Sequence, residues 1–132
     1  MKTEPSTYSW DDFVKEGSTL WDGVRNFQAR NQMKEMKVGD RALFYHSVKD
    51  KEVVGVAEVI KEHYPDPTTR DDRWVVVDIK PVCPLKEPVG LAQIKADDKL
   101  SDMVLVNNSR LSVQPVKAAE FKRVLSLGKT RL

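Results

Sequence analysis

The chain has 132 residues, of which 40% are hydrophobic and 32% charged, the composition of an ordinary water-soluble globular protein. This length predicts a single domain over residues 1–132 with one hydrophobic core. We expect no membrane span, because no apolar run reaches about 18 residues, and no secretion signal at the N-terminus. The single cysteine excludes an internal disulfide and suits a reducing compartment. The net charge of +2 allows contact with a few phosphates but is far from a polybasic profile.

Capping signals predict two helices in the first part of the chain. Ser9 and Asp12 have the spacing of a capping box, which predicts a short helix over 9–16. A second helix follows, with Asp22 or Asn26 as its cap. Residues at helical spacing predict the buried face of this second helix: Phe27, Ala29, Met33 and Met36.

The middle of the chain is rich in β-forming residues. The segments 41–47 and 51–64 flank a short polar stretch, which predicts a hairpin. Two prolines and several turn formers predict an exposed loop over 64–72. The segment 73–82 is apolar on both sides at its centre, so we expect an interior strand there.

The last third predicts a short helix over 90–100, a final strand over 109–116 and a helix over 117–129. The last helix is expected to bury four residues: Ala118, Phe121, Val124 and Leu125. Helices and strands do not alternate as regular βαβ units. The sequence therefore predicts the α+β class, with a curved antiparallel or mixed sheet closed by short helices.

Few residues have the pattern of a catalytic or metal site. His46 and His63 are distant in sequence and Cys83 is alone, so no spacing of zinc or iron ligands is present. The acidic doublets lie at helix starts or in loops, where capping or solvation explains them. His46 could act as a general base, but a hydrogen-bonded wall residue is the better interpretation. We expect a protein that is not an enzyme and holds no cofactor or metal.

The stretch "TLWDGVRNFQARNQ", residues 19–32, combines a tryptophan, two arginines and four amides. A base that has left a duplex or a strand is held by aromatic stacking and by hydrogen bonds to its edge. Amides supply such bonds, and arginines contact phosphates. The alternative is that Trp21 fills the core while the amides cap and solvate.

Five segments favour the base-binding interpretation: "KTEPSTYSWDD", "WDGVRNFQARN", "FYHS", "YPDPT" and "RLSVQPV". Together, from Lys2 to about Gly128, they resemble an EVE domain, a relative of the YTH readers of methylated adenine. The resemblance implies a PUA-like pseudobarrel of about five to six strands. It also implies binding of modified bases, chiefly modified cytosines in DNA, with RNA as the other option. EVE domains generally have several apolar residues before "KTEP", so the first strand here is short or begins upstream.

The resemblance to the YTH arrangement implies that Trp21 is the stacking tryptophan of a base pocket. We expect the other pocket residues to be Ser6, Tyr8, Ser9, Asn26, Tyr45, His46, Ser47, Tyr64 and Ser112. The expected phosphate contacts are Arg25, Arg30 and Arg110. Core packing is the better interpretation of Trp10 and Trp74. The expected partner is DNA or RNA carrying a modified base, bound by a monomer with no membrane partner, in the cytoplasm or in a eukaryotic nucleus.

Two other functions remain open. One is a general RNA-binding PUA-like module, whose affinity would come from shape and phosphate contacts. The other is a small nucleotide-processing enzyme that uses His46.

Overall fold

A curved sheet of five strands, with helices packed against it, makes up the part of the chain that the computed structural model describes: residues 2–3, 8–21, 26–47, 51–107 and 113–130. The strands are β1 (Lys2–Thr3), β2 (Thr19–Leu20), β3 (Arg41–His46), β4 (Glu52–Pro65) and β5 (Val75–Gly90). The helices are α1 (Trp10–Glu16), α2 (Phe27–Glu35), α3 (Leu91–Lys95), α4 (Val104–Asn107) and α5 (Ala118–Leu127), with a 3-10 turn at Asp98–Leu100. Among these described helices, none has the length and apolar character to cross a membrane.

The strands lie in the order β1-β3-β4-β5-β2, with β1 parallel to β3 and the other neighbours antiparallel. The long β4–β5 pairing runs from Glu52 opposite Gly90 to Pro65 opposite Val75 and contains several register shifts. Such shifts bend a strand and increase its twist, which accounts for the curvature of the sheet. The predicted α+β class and curved mixed sheet are confirmed.

Hydrophobic residues form two clusters rather than the one core expected from the length. The first core contains Trp10, Phe13, Trp21, Ala29, Met33, Phe44, Val77 and Ile79, among others. The second core contains Leu43, Tyr45, Val56, Ile94, Leu100, Val124 and Leu125, among others. Successive residues of β3 alternate between the two cores because side chains along a strand point to opposite faces. The sheet therefore separates the two cores.

The predicted helix starts are confirmed in α1 and α2. The Ser9 hydroxyl accepts a bond from the Asp12 backbone N–H at 3.1 Å, and the Asp12 carboxylate accepts from the Ser9 N–H at 3.0 Å. Asn26 Oδ1 accepts from the Ala29 N–H at 3.1 Å. The buried face of α2 differs from the prediction, since Ala29 and Met33 are buried while Phe27 is 49% exposed.

The C-terminal third contains further differences. The strand predicted over 73–82 extends to Gly90, and the helix predicted over 90–100 consists of α3 and the 3-10 turn. Of the strand predicted over 109–116, residues 109–112 lie outside the described residues, and 113–116 are not in a strand. Val113 is buried in the first core. Its apolar side chain thus packs in the core from a segment that is not a strand.

The buried face of α5 is also only partly as predicted. Val124 and Leu125 are buried, whereas Ala118 is exposed and Phe121 is half-buried. Glu120 is buried instead, and its carboxylate accepts a bond from the Lys117 backbone N–H at 2.9 Å. Capping thus places a charged residue on the inner side of the first helical turn.

Candidate base-binding site

Trp21 directly follows β2, the edge strand of the sheet. Its backbone N–H donates to the Val77 carbonyl at 2.9 Å, which continues the pairing of β2 with β5. The ring is only 9% exposed and belongs to the first core. The ring therefore packs in the core, as the alternative interpretation of Trp21 expected, and the next residues in the sequence, 22–25, lie outside the described part of the chain.

Trp21 is part of an aromatic cluster, which we define as Tyr8, Trp10, Phe13, Trp21 and Phe44. The Phe44 ring lies 5.8 Å from the Trp21 ring at 81°, and the Tyr8 ring lies 6.5 Å away at 75°. Both rings are nearly perpendicular to Trp21, so neither stacks in parallel on it. Among the described aromatic residues, the ring contacts of Trp21 are thus all edge-to-face.

Tyr8 contributes a hydroxyl group beside Trp21. Its ring also lies 6.3 Å from Phe13. Burial, and secondarily the negative charge of Glu16, raises the pKa of Tyr8 to about 12. The hydroxyl therefore keeps its proton at neutral pH.

His46 connects the end of β3 to the start of α1. Its Nε2 atom accepts a hydrogen bond from the Trp10 backbone N–H at 3.0 Å, and its ring lies edge-on to Phe44 at 6.0 Å. An accepting Nε2 places the proton of the neutral imidazole on Nδ1. The lone pair that a general base at Nε2 would use is already engaged, so the geometry favours the wall interpretation.

The structure does not bring Tyr45 and Tyr64 to Trp21. Tyr45 lies in the second core, on the opposite face of β3 from Phe44. The Tyr64 hydroxyl donates to Asp78 at 2.5 Å, and Asp78 alternates along β5 with Val77 and Ile79, which face the first core. Both tyrosines therefore belong to the face of the sheet away from Trp21.

The polar residues expected to contact the base or the phosphates do not lie together in the structure. Ser9 and Asn26 occupy caps, and Ser47 is half-buried directly after His46. Arg30 donates from Nη1 to the Arg73 carbonyl at 3.2 Å and from Nε and Nη2 to Asn31 Oδ1. The remaining candidates lie outside the described residues: Ser6, Arg25, Arg110 and Ser112.

Three of the four amides in the 19–32 stretch line a polar cleft of about 390 Å³ between α2 and α4. Its lining includes Gln28, Asn31, Gln32, Asp102, Val104, Asn107 and Pro115. Amide groups both donate and accept hydrogen bonds, which suits them to the edges of bases.

The sequence did not assign three residues of the cluster to the site: Trp10, Phe13 and Phe44. Trp10 was expected in the core, and its 7% exposure confirms this. A signal for Phe44 was present, since Phe44 and His46 are two residues apart on one strand and share a face. The sequence instead led us to expect Tyr45 in the pocket. Tyr45 is the next residue after Phe44 on β3, so its side chain points to the opposite face of the sheet.

Comparison with known proteins identifies the family. Residues 1–127 match the model of the EVE domain. Human thymocyte nuclear protein 1 is 38% identical over 96% of this chain and 72% of its own length. A crystal structure of a protein from Agrobacterium tumefaciens has a TM-score of 0.96 and 45% identity, covering 98% of this chain and 90% of that chain.

A third similar structure contains nucleic acid. The human THYN1 protein in complex with DNA containing 5-methylcytosine has a TM-score of 0.90 and 34% identity, covering 100% of this chain and 97% of that chain. This likeness also confirms the expected PUA-like architecture. The chain belongs to the EVE domain family.

Proposed function

We propose that this chain is a non-enzymatic reader that binds DNA carrying a modified base, a 5-modified cytosine, in an aromatic pocket at Trp21. The observation that carries the proposal is the likeness, along the whole chain, to the human THYN1 protein in complex with DNA containing 5-methylcytosine. The family membership adds to this support, because this chain and that protein share the EVE domain.

The aromatic cluster supplies a suitable chemistry for the proposed pocket. A flipped base is held by stacking on aromatic side chains and by hydrogen bonds to its Watson–Crick edge. Trp21 directly follows the edge strand β2, and it is the ring of the cluster on which we propose that the base stacks. The Tyr8 ring lies edge-on beside Trp21, and the backbone-bonded His46 holds the wall of the cluster in place.

The selectivity of such a pocket is modest by physical reasoning. Burial of one added methyl group contributes about 0.8 kcal/mol, or roughly fourfold in affinity. In a pocket that excludes water around the methyl group, the preference in affinity rises to about tenfold or somewhat more. The reason is that the plain base leaves an unfilled gap, and the side chains around that gap lose their contacts. A hydroxymethyl group needs a hydrogen-bond partner in the slot, or burial of its hydroxyl costs about 1–3 kcal/mol.

Calorimetry with matched oligonucleotides tests the proposal. One duplex carries a single 5-methylcytosine and the other carries plain cytosine in the same sequence. We expect about five- to thirtyfold tighter binding of the modified duplex. Equal affinities for the two duplexes would refute the reader function, however tight both were.

Two control arms address the other functions. An RNA oligonucleotide of the same sequence, bound as tightly as the modified DNA, would favour a general RNA-binding module. Chromatography of the DNA after long incubation with the protein is expected to recover it unchanged. Conversion of the base or cleavage of the strand would instead indicate an enzyme.

A further inference from the structure

An exposed aromatic pair lies at the start of α2, outside the aromatic cluster. Phe27 is 49% exposed, and its ring stacks on Trp74 with centroids 5.0 Å apart and planes at 26°. Trp74 itself is buried and directly precedes β5. The Phe27 ring therefore presents apolar surface to solvent while it is packed on a buried tryptophan.

Two arginines flank this pair. The Arg30 guanidinium lies 4.8 Å from the Phe27 ring centroid, and the Arg73 guanidinium lies 6.0 Å from Phe27 and 5.9 Å from Trp74. Cation–aromatic contacts of this length are attractive. We call Phe27, Trp74, Arg30 and Arg73 the arginine–aromatic platform.

Hydrogen bonds hold the guanidiniums of the platform in place. Arg30 is tied to the Arg73 carbonyl and to Asn31. Arg73 donates from Nε and Nη2 to the carboxylate of Asp71, which lowers the pKa of Asp71 to about 2. Among the described residues, no carboxylate pairs with Arg30, so the platform retains a positive charge.

The platform lies close to Trp21 along β5. The Trp21 N–H bonds the Val77 carbonyl, and Trp74 is three residues before Val77. Three residues of an extended strand span roughly 10 Å, which corresponds to about three base-pair steps along one DNA strand. A DNA that inserts a base at Trp21 would therefore have its neighbouring nucleotides within reach of Phe27.

We propose that the arginine–aromatic platform is a second DNA contact, which engages a nucleotide flanking the modified base. That nucleotide contacts the exposed part of the Phe27 ring, and the guanidiniums of Arg30 and Arg73 contact its phosphates. Aromatic rings next to arginines bind bases of any sequence, because every base has a π-face. This inference rests on the proposed function, from which it takes DNA as the ligand.

The test compares Phe27→Ala, Phe27→Tyr and the wild type in binding two ligands: the duplex with one 5-methylcytosine, and the free nucleoside 5-methyl-2′-deoxycytidine. Phe27→Ala is expected to weaken duplex binding about fivefold or more and to leave nucleoside binding unchanged. Phe27→Tyr, which keeps the ring, is expected to bind like the wild type. Val14→Ala is the matched control, since Val14 is 50% exposed on α1.

Each result separates this inference from the proposed function. If Phe27→Ala binds the duplex as the wild type does, the second contact is refuted and the base pocket is unaffected. If the wild type shows no preference for the modified duplex, the reader function fails. A loss of duplex binding in Phe27→Ala would still support the second contact in that case.

If Phe27→Ala melts far below the wild type, the double variant Arg30→Gln/Arg73→Gln replaces it. The slope of log K against log salt for duplex binding is then expected to fall in magnitude by roughly 0.9 per arginine. An unchanged slope refutes the contact.

Discussion

The Trp10 ring lies directly over the backbone of Gly55. A Cβ atom on residue 55 would come within 2.5 Å of the Trp10 ring, a distance at which one of the two must move. Trp10 stands in the first turn of α1 and Gly55 stands in β4. The missing side chain thus allows the first helix to pack closely on the sheet.

We expect Gly55→Ala to lower the free energy of unfolding by about 1–3 kcal/mol, because the added methyl group overpacks the contact with Trp10. Denaturant unfolding measures this effect. Gly90→Ala is the control, since no atom lies within 4 Å of a Cβ built at Gly90. A double variant with Trp10→Leu is expected to recover part of the effect of Gly55→Ala, and strict additivity of the two changes would contradict the contact.

His46→Ala is expected to lower the free energy of unfolding by about 1–3 kcal/mol, because it leaves the Trp10 backbone N–H without its acceptor. His63→Ala, at an exposed position of β4, is expected to have no measurable effect. Thermal unfolding of the two variants compares them directly. Equal melting temperatures would show that the bond between His46 and Trp10 contributes nothing to stability.

Trp21→Ala is expected to cost about 3–5 kcal/mol of stability, because the ring is buried against Phe44. The binding role of Trp21 is therefore better tested with Trp21→Phe, which retains an aromatic ring. We expect Trp21→Phe to remain folded and to bind the 5-methylcytosine duplex several-fold more weakly, within the roughly 1–3 kcal/mol of one stacked base. Tyr45→Phe, in the second core, serves as the control, and an equal loss in both variants would argue against a pocket at Trp21.

Burial raises the pKa of all three tyrosines above 10.0, and Tyr8 and Tyr64 are expected to ionise unusually late. The pKa values of Tyr8 and Tyr64 are each raised from 10.0 to about 12, in both cases chiefly by burial. Because folding raises these pKa values, the associated stability is complete below pH 10 and is lost as the pH rises towards 12. Ultraviolet absorbance across this range measures the ionisation. Tyr64→Phe should remove one late-ionising group, and full ionisation of the folded wild type near pH 10 would contradict the prediction.

Binding to single-stranded DNA is expected to weaken only gently with salt. The net charge of +2 and the few candidate arginines suggest roughly three phosphate contacts, which gives a slope of log K against log salt of about −2. Affinity measured over a series of salt concentrations provides this slope. A slope near roughly −6 would indicate a broad basic surface and would favour general RNA binding.

The sequence predicted the helix starts and the hairpin well because these depend on neighbouring residues. The cap of α1 joins Ser9 to Asp12, and the cap of α2 joins Asn26 to Ala29, each across three positions. The paired strands β3 and β4 likewise come from two β-rich segments that a short polar stretch separates in the sequence. Hydrogen bonds between residues so close in sequence depend on a few neighbouring side chains and can be predicted without the tertiary structure.

The aromatic residues of the site were harder to assign. The segment "FYHS" correctly drew attention to the end of β3, and the structure places His46 beside Phe44. Yet Tyr45 faces the second core, because one step along a strand reverses the face. Tyr64 was drawn from the motif "YPDPT", and its bond to Asp78 depends on a pairing of β4 with β5 that contains register shifts.

Residue spacing and motif order were sufficient to determine the α+β class, the capped helices and the resemblance to an EVE domain. Only the tertiary structure decided which face of the sheet each aromatic side chain joins, and that Phe27 lies on Trp74 rather than in the core. Helical spacing alone grouped Phe27 with Ala29 and Met33. The stacking partner of Phe27 is 47 positions away in the chain, at the start of a strand, and contacts over such a separation exist only once the sheet has been assembled.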